Sequence, residues 1–290
     1  MQVDIRRFPF SRRGAYLSIT LAAEGNRLLF RNCRRLFGEE RFMEAAFLDS
    51  QGRELPFAFT ATPSCLDIAV EGGRARLAVG RLQEIHGHAE GLRVRLVPRG
   101  GWSWQAAGND WRNHVITNHN HVTDAVVHRG AIDGRTTVEL VGGYHKQTGA
   151  EYLLSPDADG RLSFSVICSP REVLPDVREA DFDRSVEEAR QDFADWAATL
   201  PPVPDRYAEA ARLLWYNLWS SIVSAGGNFR YDAMLMSKAS MCAVWSWDHC
   251  FNALALMLSG RTREALEQFF LLFEMQSPEG KLPDFINTEI

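Results

Sequence analysis

The chain has 290 residues, a formal net charge of −5 and a hydrophobic content of 46%. These values are typical of a globular protein with room for two domains, since domains usually span about 100–150 residues. The acidic balance argues against nucleic acid and anionic membrane surfaces as partners. No apolar run approaches the roughly 20 residues that cross a bilayer, no signal peptide is visible, and the cysteines are scattered, so we expect a cytoplasmic protein without a membrane partner.

Residues 1–170 show many short segments of strand character separated by turns. Apolar and polar residues alternate with period two in segments such as 16–21, 93–97 and 137–141. Turn residues recur at hairpin spacing, for example at 24–26. This pattern predicts an antiparallel β-sandwich domain over residues 1–170.

Helical periodicity begins after this region. A linker with an amphipathic helix is predicted at 171–203, where apolar residues recur at helical spacing until Pro201 interrupts them. Three further helices are predicted in 204–290, and Ser246 and Thr262 are candidate N-caps of the last two. Their expected buried faces are Tyr207, Ala211, Leu214, Leu218 and Ile222 in the first, Phe251, Leu254, Ala255 and Leu258 in the second, and Leu266, Phe269, Phe270 and Phe273 in the third.

So few helices leave large apolar faces uncovered, because a helical array needs several hairpins to bury them. We therefore expect the helical part to be completed by sequence beyond residue 290, or else by a partner.

The stretch Trp245-Ser246-Trp247-Asp248 places one carboxylate between two indoles where an apolar helix begins. Aromatic faces stack on the C–H faces of a pyranose ring, and a desolvated carboxylic acid can protonate a glycosidic oxygen. The competing interpretation is structural: both tryptophans belong to the core, and Asp248 complements the helix dipole.

The region from about residue 190 to residue 287 resembles the glycoside hydrolases with an (α/α)6 toroid, in particular family 63 and its mannosylglycerate hydrolase-like and trehalase-like relatives. Those enzymes carry a W-x-W-D motif opening an inner helix, matched here at 245–248. A Q-x-x-[DE]-G-x-[LI]-P segment lines their pocket, and 276–284 matches it. The resemblance implies that 204–290 is the first part of such a toroid. It also implies an inverting hydrolase acting on an α-linked glycoside or short oligosaccharide.

By the same resemblance Asp248 would be the general acid, and the general base would be a glutamate from a later hairpin outside this chain. No cofactor is implied. His119 and His121 share a face of a predicted strand, but no carboxylate or cysteine completes a ligand set, so no metal site is predicted. The expected substrate-binding residues are Trp245, Trp247, Lys238, Asp284 and Asn287.

Two other functions fit the sequence. A glycoside phosphorylase on the same architecture would use phosphate in place of water and its base. A non-catalytic carbohydrate-binding module would use the β-sandwich alone, and Trp102, Trp104 and Trp111 lie near its turns.

With one member of the catalytic pair absent, we expect the 290-residue chain to be inactive by itself. Release of reducing sugar from α-linked glycosides would measure this. Hydrolysis by the isolated chain above the rate of a denatured sample would refute the expectation.

Overall fold

The structure is a computed structural model. The residues that it describes are 1–23, 25–34, 41–81, 83–98, 103–105, 114–119, 122–129, 131–141, 144–169 and 182–288. Within these ranges no helix is both long and apolar enough to cross a membrane.

The first part of the chain is built from antiparallel strands, which confirms the strand character read from the sequence. The segments predicted at 16–21 and 93–97 form strands, and 137–141 lies inside a longer one. The strands are β1 (Leu17–Leu21), β2 (Leu28–Asn32), β3 (Arg41–Leu48), β4 (Phe57–Ala61), β5 (Leu66–Val70), β6 (Gly73–Val79), β7 (Glu84–Glu90), β8 (Arg93–Pro98), β9 (Ser103–Gln105), β10 (His114–His119), β11 (Val122–Arg129), β12 (Ala131–Val141), β13 (Tyr144–Ser155) and β14 (Arg161–Ser169).

These strands form two sheets that face each other. A six-stranded sheet has the order β1-β2-β3-β8-β13-β12, and an eight-stranded sheet has the order β4-β5-β6-β7-β14-β11-β10-β9. Apolar side chains of both sheets belong to one core, for example Phe30 and Val94 from the first sheet and Ile68 and Val166 from the second. Two layers sharing one core explain why apolar residues alternate with polar ones along outer strands such as β6, since only one face of each sheet is turned to that core.

The second part of the chain is helical, with short two-stranded ladders between the helices. Its elements are α1 (Phe182–Ala197), a 3-10 turn (Asp205–Tyr207), α2 (Ala208–Ser221), β15 (Ile222–Val223), β16 (Ala233–Met234), β17 (Val244–Trp245), α3 (Ser246–Leu258), α4 (Thr262–Glu274) and β18 (Phe285–Ile286).

Two indoles hold α1 against α2. The rings of Trp196 and Trp215 stack with their centroids 5.0 Å apart. Each indole N–H donates to the backbone carbonyl of the other residue, at 3.0 and 2.9 Å. The buried face expected for α2 is wrong in part. Trp215, Tyr216 and Trp219 are buried, whereas Leu214, which was expected inside, is 60% exposed.

The expected buried faces of α3 and α4 are also wrong. The buried residues of α3 are His249, Ala253 and Leu256. Apolar periodicity marks the side of a helix that avoids water, but it does not show whether a neighbour covering that side lies within the described residues. The side chains expected inside are instead between 42% and 70% exposed: Phe251, Leu254, Leu258, Leu266, Phe269, Phe270 and Phe273.

The two candidate N-caps are wrong as well. Ser246 and Thr262 are the first residues of α3 and α4, and the cap positions belong to Trp245 and Arg261. Neither cap residue makes a side-chain cap hydrogen bond. The N–H of Ser246 instead donates to the backbone carbonyl of Asp284 at 3.0 Å.

Lys238 joins the β domain to the helical part. Its side chain is 1% exposed, and Nζ donates to the Ser11 hydroxyl at 3.2 Å and to the carbonyls of Arg12 and Ile222 at 3.0 Å each. The carbonyl of Lys238 accepts a hydrogen bond from the Ser18 hydroxyl at 2.6 Å. Burial lowers the pKa of Lys238 to about 7, while only the ammonium form supplies three donors for the three acceptors.

Backbone contacts extend this junction. The N–H of Gly14 donates to the Ile222 carbonyl at 2.9 Å, and the N–H of Ser224 donates to the Gly14 carbonyl at 3.2 Å. The Tyr16 hydroxyl also donates to the Ser224 carbonyl, at 2.7 Å. The segment before β1 therefore lies against β15 and the residue that follows it.

Replacing Lys238 with methionine keeps the length of the side chain but removes three buried hydrogen bonds. The carbonyls of Ile222 and Arg12 keep the N–H groups of Gly14 and Ala15 as donors. We expect the free energy of unfolding to fall by about 2–4 kcal/mol. Urea unfolding followed by tryptophan fluorescence measures it. Lys281→Met at an exposed position is the matched control, with an expected change below about 0.5 kcal/mol. Equal unfolding midpoints for the two variants would contradict the assigned role.

Candidate functional site

The structure brings the two sequence motifs into direct contact. Strand β17 pairs with β18 in antiparallel register, with Val244 opposite Ile286 and Trp245 opposite Phe285. The ring centroids of Trp245 and Phe285 lie 4.9 Å apart, and the Ser246 N–H donates to the carbonyl of Asp284 at 3.0 Å. The segment that follows α4 therefore returns to the N-terminus of α3, which carries Asp248.

A tight approach at Gly227 fixes the end of this returning segment. The N–H of Asn228 donates to the carbonyl of Thr288 at 3.0 Å. A Cβ at Gly227 would lie 1.9 Å from that same carbonyl oxygen, and the residue has a φ of +56°. Only glycine fits both the contact and the left-handed backbone at this position.

Asp248 and Trp247 lie together on the first turn of α3. Asp248 is half-buried, and its carboxylate makes no hydrogen bond or ion pair with any residue that the structure describes. Trp247 is 74% exposed, and the edge of its ring contacts Phe251 at 5.7 Å between centroids. The first turn of α3 therefore presents a carboxylate without a partner among the described residues and an exposed indole.

The other predicted site residues are divided between surface and interior. Trp245 is half-buried, and its indole N–H is buried without an acceptor among the described residues. Asp284 is exposed next to it, at the start of β18. Asn287 is 1% exposed, and Lys238 is held in the junction described above. The roles of these residues toward a substrate stay predictions, and the ammonium of Lys238 already has three protein partners.

His249, which the sequence interpretation overlooked, anchors the first turn of α3. Its ring is 1% exposed, and backbone groups of Gln268 and Met234 lie near it. Neither ring nitrogen forms a hydrogen bond of normal geometry with a described residue. Burial lowers the pKa of His249 to about 4, against the weaker influence of the two backbone groups, so the imidazole is neutral at pH 7.

Gln268 of α4 was also overlooked. Its side chain accepts a hydrogen bond from the N–H of Met234 and donates one to the carbonyl of Asp232, both at 2.7 Å. Asn252 of α3 donates to the Met234 carbonyl at 3.4 Å. These contacts fix β16 against both helices. The sequence did contain a signal for this role, because Gln268 lies at helical spacing between the apolar residues Ala265 and Leu272 and so shares their face of the helix.

The structure shows no metal site in the parts of the chain that it describes, where no group of three or more His, Cys, Asp or Glu side chains converges. His119 lies on β10, but its side chain is outside the description, as is the whole of His121. Trp102 and Trp111 also lie outside the described residues.

The neutral, buried state of His249 predicts a loss of stability in acid. The native ring has a pKa of about 4, whereas an unfolded histidine titrates near 6.5, so the unfolded chain binds more protons between these values. This residue's contribution is therefore complete above about pH 6.5 and falls by up to about 3 kcal/mol as the pH decreases toward 4.

The variant His249→Leu has a similar volume and lacks the titrating group. Urea unfolding at pH 7 and pH 4.5 should show a smaller acid-induced loss of stability for the variant than for the natural chain. Identical losses would show that His249 does not carry the effect.

Comparisons with known proteins identify a fold. No protein-family model matches the chain, and no curated protein matches it. The chain is similar to the solved family GH92 inverting mannosidase BT2199 from Bacteroides thetaiotaomicron VPI-5482, with a TM-score of 0.51, 12% sequence identity and coverage of 74% of this chain and 37% of that one. It is also similar to the GH92 family glycosyl hydrolase ccman5, with a TM-score of 0.52, 12% identity and coverage of 77% and 40%.

At 12% identity this similarity concerns the fold alone. It does not confirm the expected family 63 or trehalase-like affiliation. The chain spans about two fifths of the length of these structures, at 37% and 40%. The antiparallel β domain followed by helices has a fold like that of these glycoside hydrolases.

Proposed function

We propose that this chain is the N-terminal part of an inverting glycoside hydrolase that acts on an α-linked glycoside or short oligosaccharide. Asp248 is its general acid. Trp245 and Trp247 bind the sugar together with polar groups contributed by Asp284 and Asn287. Mannosides are the first substrates to test, because one of the structural neighbours is an inverting mannosidase.

The observation that carries this proposal is the pairing of β17 with β18. It places Asp284 and Phe285 beside the first turn of α3, which holds Asp248, although the rest of α3 and the whole of α4 lie between these residues in the sequence. The carboxylate of Asp248 has no partner among the described residues, so it is available to a ligand. The exposed ring of Trp247 supplies an apolar surface for a pyranose at the same place.

A general acid must come within hydrogen-bond distance of the leaving oxygen of its substrate. In this proposal the sugar stacks on Trp245 and Trp247, which brings its glycosidic oxygen to the carboxyl group of Asp248.

We further propose that residues 1–170 are the β-sandwich domain, 171–203 the linker and 204–290 the first part of an (α/α)6 toroid. Additional helical hairpins of the same protein would cover the apolar side chains of α3 and α4, such as Leu258 and Phe270, which are 70% and 49% exposed. Full burial of such a side chain is worth about 1.5–3 kcal/mol, so covering the exposed half yields roughly 1 kcal/mol for each.

The general base belongs to these additional hairpins. An inverting mechanism needs a second carboxylate on the opposite face of the sugar, about 6.5–9.5 Å from the acid, with a water molecule between them. Lys238 was expected to bind substrate. Its side chain instead binds three protein oxygens, which supports a structural role: Lys238 positions the segment that leads into β17.

The test is Asp248→Asn in the protein that contains this chain together with its remaining helices. The amide cannot donate a proton to the leaving oxygen, so we expect kcat to fall by at least about 10²-fold with α-mannosides and α-glucosides. Circular dichroism and the unfolding midpoint should be unchanged, because the carboxylate of Asp248 has no described partner to lose.

Asp205→Asn, at an exposed position in the 3-10 turn, is the matched control and should keep normal activity. Substrates with an activated leaving group that needs little protonation should lose much less activity in Asp248→Asn. Turnover close to normal on unactivated glycosides would rule out Asp248 as the acid. Sugar release that requires inorganic phosphate would favour a phosphorylase instead.

A further inference from the structure

A trough lies on the outer face of the eight-stranded sheet, away from the core. It has a volume of about 480 Å³ and is lined by residues of β4, β5, β6 and β7. That volume falls within the range of about 300–1,000 Å³ found for small-ligand sites. None of its lining residues belongs to the Asp248 site. These residues are Ala58, Phe59, Thr60, Asp67, Ile68, Ala69, Arg74, Ala75, Arg76, His88 and Glu90.

Strand register arranges the polar side chains in rows across the trough. In one row Thr60 lies opposite Asp67, Asp67 opposite Arg76 and Arg76 opposite His88. Residues opposite each other on adjacent strands point to the same face of the sheet. This row therefore presents a hydroxyl, a carboxylate, a guanidinium and an imidazole side by side.

A second row of residues contains two alanines, and their small side chains account for the depression in the sheet surface. Ala58 lies opposite Ala69, Ala69 opposite Arg74 and Arg74 opposite Glu90. Both alanines are exposed, and their small side chains leave the middle of the sheet surface open. Larger residues at these positions would remove the depression without disturbing the core.

The start of α1 packs beside the trough. The ring of Phe182 stacks on the imidazole of His88 with centroids 4.4 Å apart, and the guanidinium of Arg76 lies 5.2 Å from the centre of the same ring. These contacts hold the side chains of His88 and Arg76 in position before any ligand arrives.

The charges of the trough balance. Arg74 pairs with Glu90 at 2.8 Å, and Arg76 pairs with Asp67 at 3.1 Å, so the two cations and two anions of the lining sum to zero. Burial lowers the pKa of His88, with the charge of Asp183 opposing that shift, so its ring is neutral at pH 7. A balanced site offers no net attraction to an anion or a cation.

We propose that this trough binds a neutral, polyhydroxylated ligand, namely a segment of a carbohydrate chain made of uncharged sugars. A sugar hydroxyl both donates and accepts hydrogen bonds, so it can bind next to a guanidinium and a carboxylate at the same time. The methyl groups of Ala58 and Ala69 provide an apolar floor for the C–H face of a pyranose. The carboxylate of an acidic sugar would be attracted by Arg74 and Arg76 but repelled by Glu90 and Asp67, so a charged sugar gains no advantage over a neutral one.

The experiment is isothermal titration calorimetry of the 290-residue chain with three probes of equal length: maltohexaose, mannohexaose and hexagalacturonate. At least one neutral hexasaccharide should bind about tenfold more tightly than the uronate, a difference of about 1.4 kcal/mol. Ala69→Trp, which fills the trough from an exposed strand position, should weaken that binding by at least about tenfold. Ala58→Trp fills the same space from the neighbouring strand and should act in the same way.

Glu71→Trp in the exposed turn between β5 and β6 adds the same indole outside the trough and should leave the Kd unchanged. Unfolding midpoints of all three variants show whether the fold is intact. The proposal is overturned if neither neutral hexasaccharide binds at about 10 mM, if the uronate binds equally well, or if both trough variants bind like Glu71→Trp. Asp248 takes no part in this binding, so the proposed hydrolase function stands or fails separately.

Discussion

The buried side-chain nitrogen of Lys238 is the contact on which the arrangement of the two parts of this chain depends. A charged group inside a protein is tolerated only when its hydrogen-bonding capacity is met. Three oxygens from two distant segments, at Ser11, Arg12 and Ile222, must therefore hold fixed positions around it. Since Lys238 also precedes β17 closely in the chain, the same contact sets where the helix bearing Asp248 begins.

From this junction the candidate site is assembled by backbone pairing. Strand β17 receives β18 as its neighbour, and His249 and Gln268 fix the helices behind it. Trp247 and the apolar side chains of α3 and α4, by contrast, are exposed in the part of the chain described.

Strand periodicity made the β domain predictable. Alternation with period two is a local property, so segments such as 93–97 were recognised without knowing their partners. The pairing order was not predictable, because β3 joins β8 and β7 joins β14 across long stretches of sequence. The rows of charge across β4 to β7 arise only from that register, and no sequence pattern revealed the trough.

Local sequence patterns were sufficient to identify the classes of structure and the positions of most helices. They placed Asp248 between two indoles but left its role open, and only the family resemblance implied that it is a general acid. Which helix faces are covered depends instead on the packing of distant segments. Apolar side chains such as Phe269 and Leu254 look alike in sequence whether a neighbour buries them or not. The place of Lys238 inside the junction also follows only from the folded chain, since burial of a lysine depends on three acceptors from residues far away in the sequence.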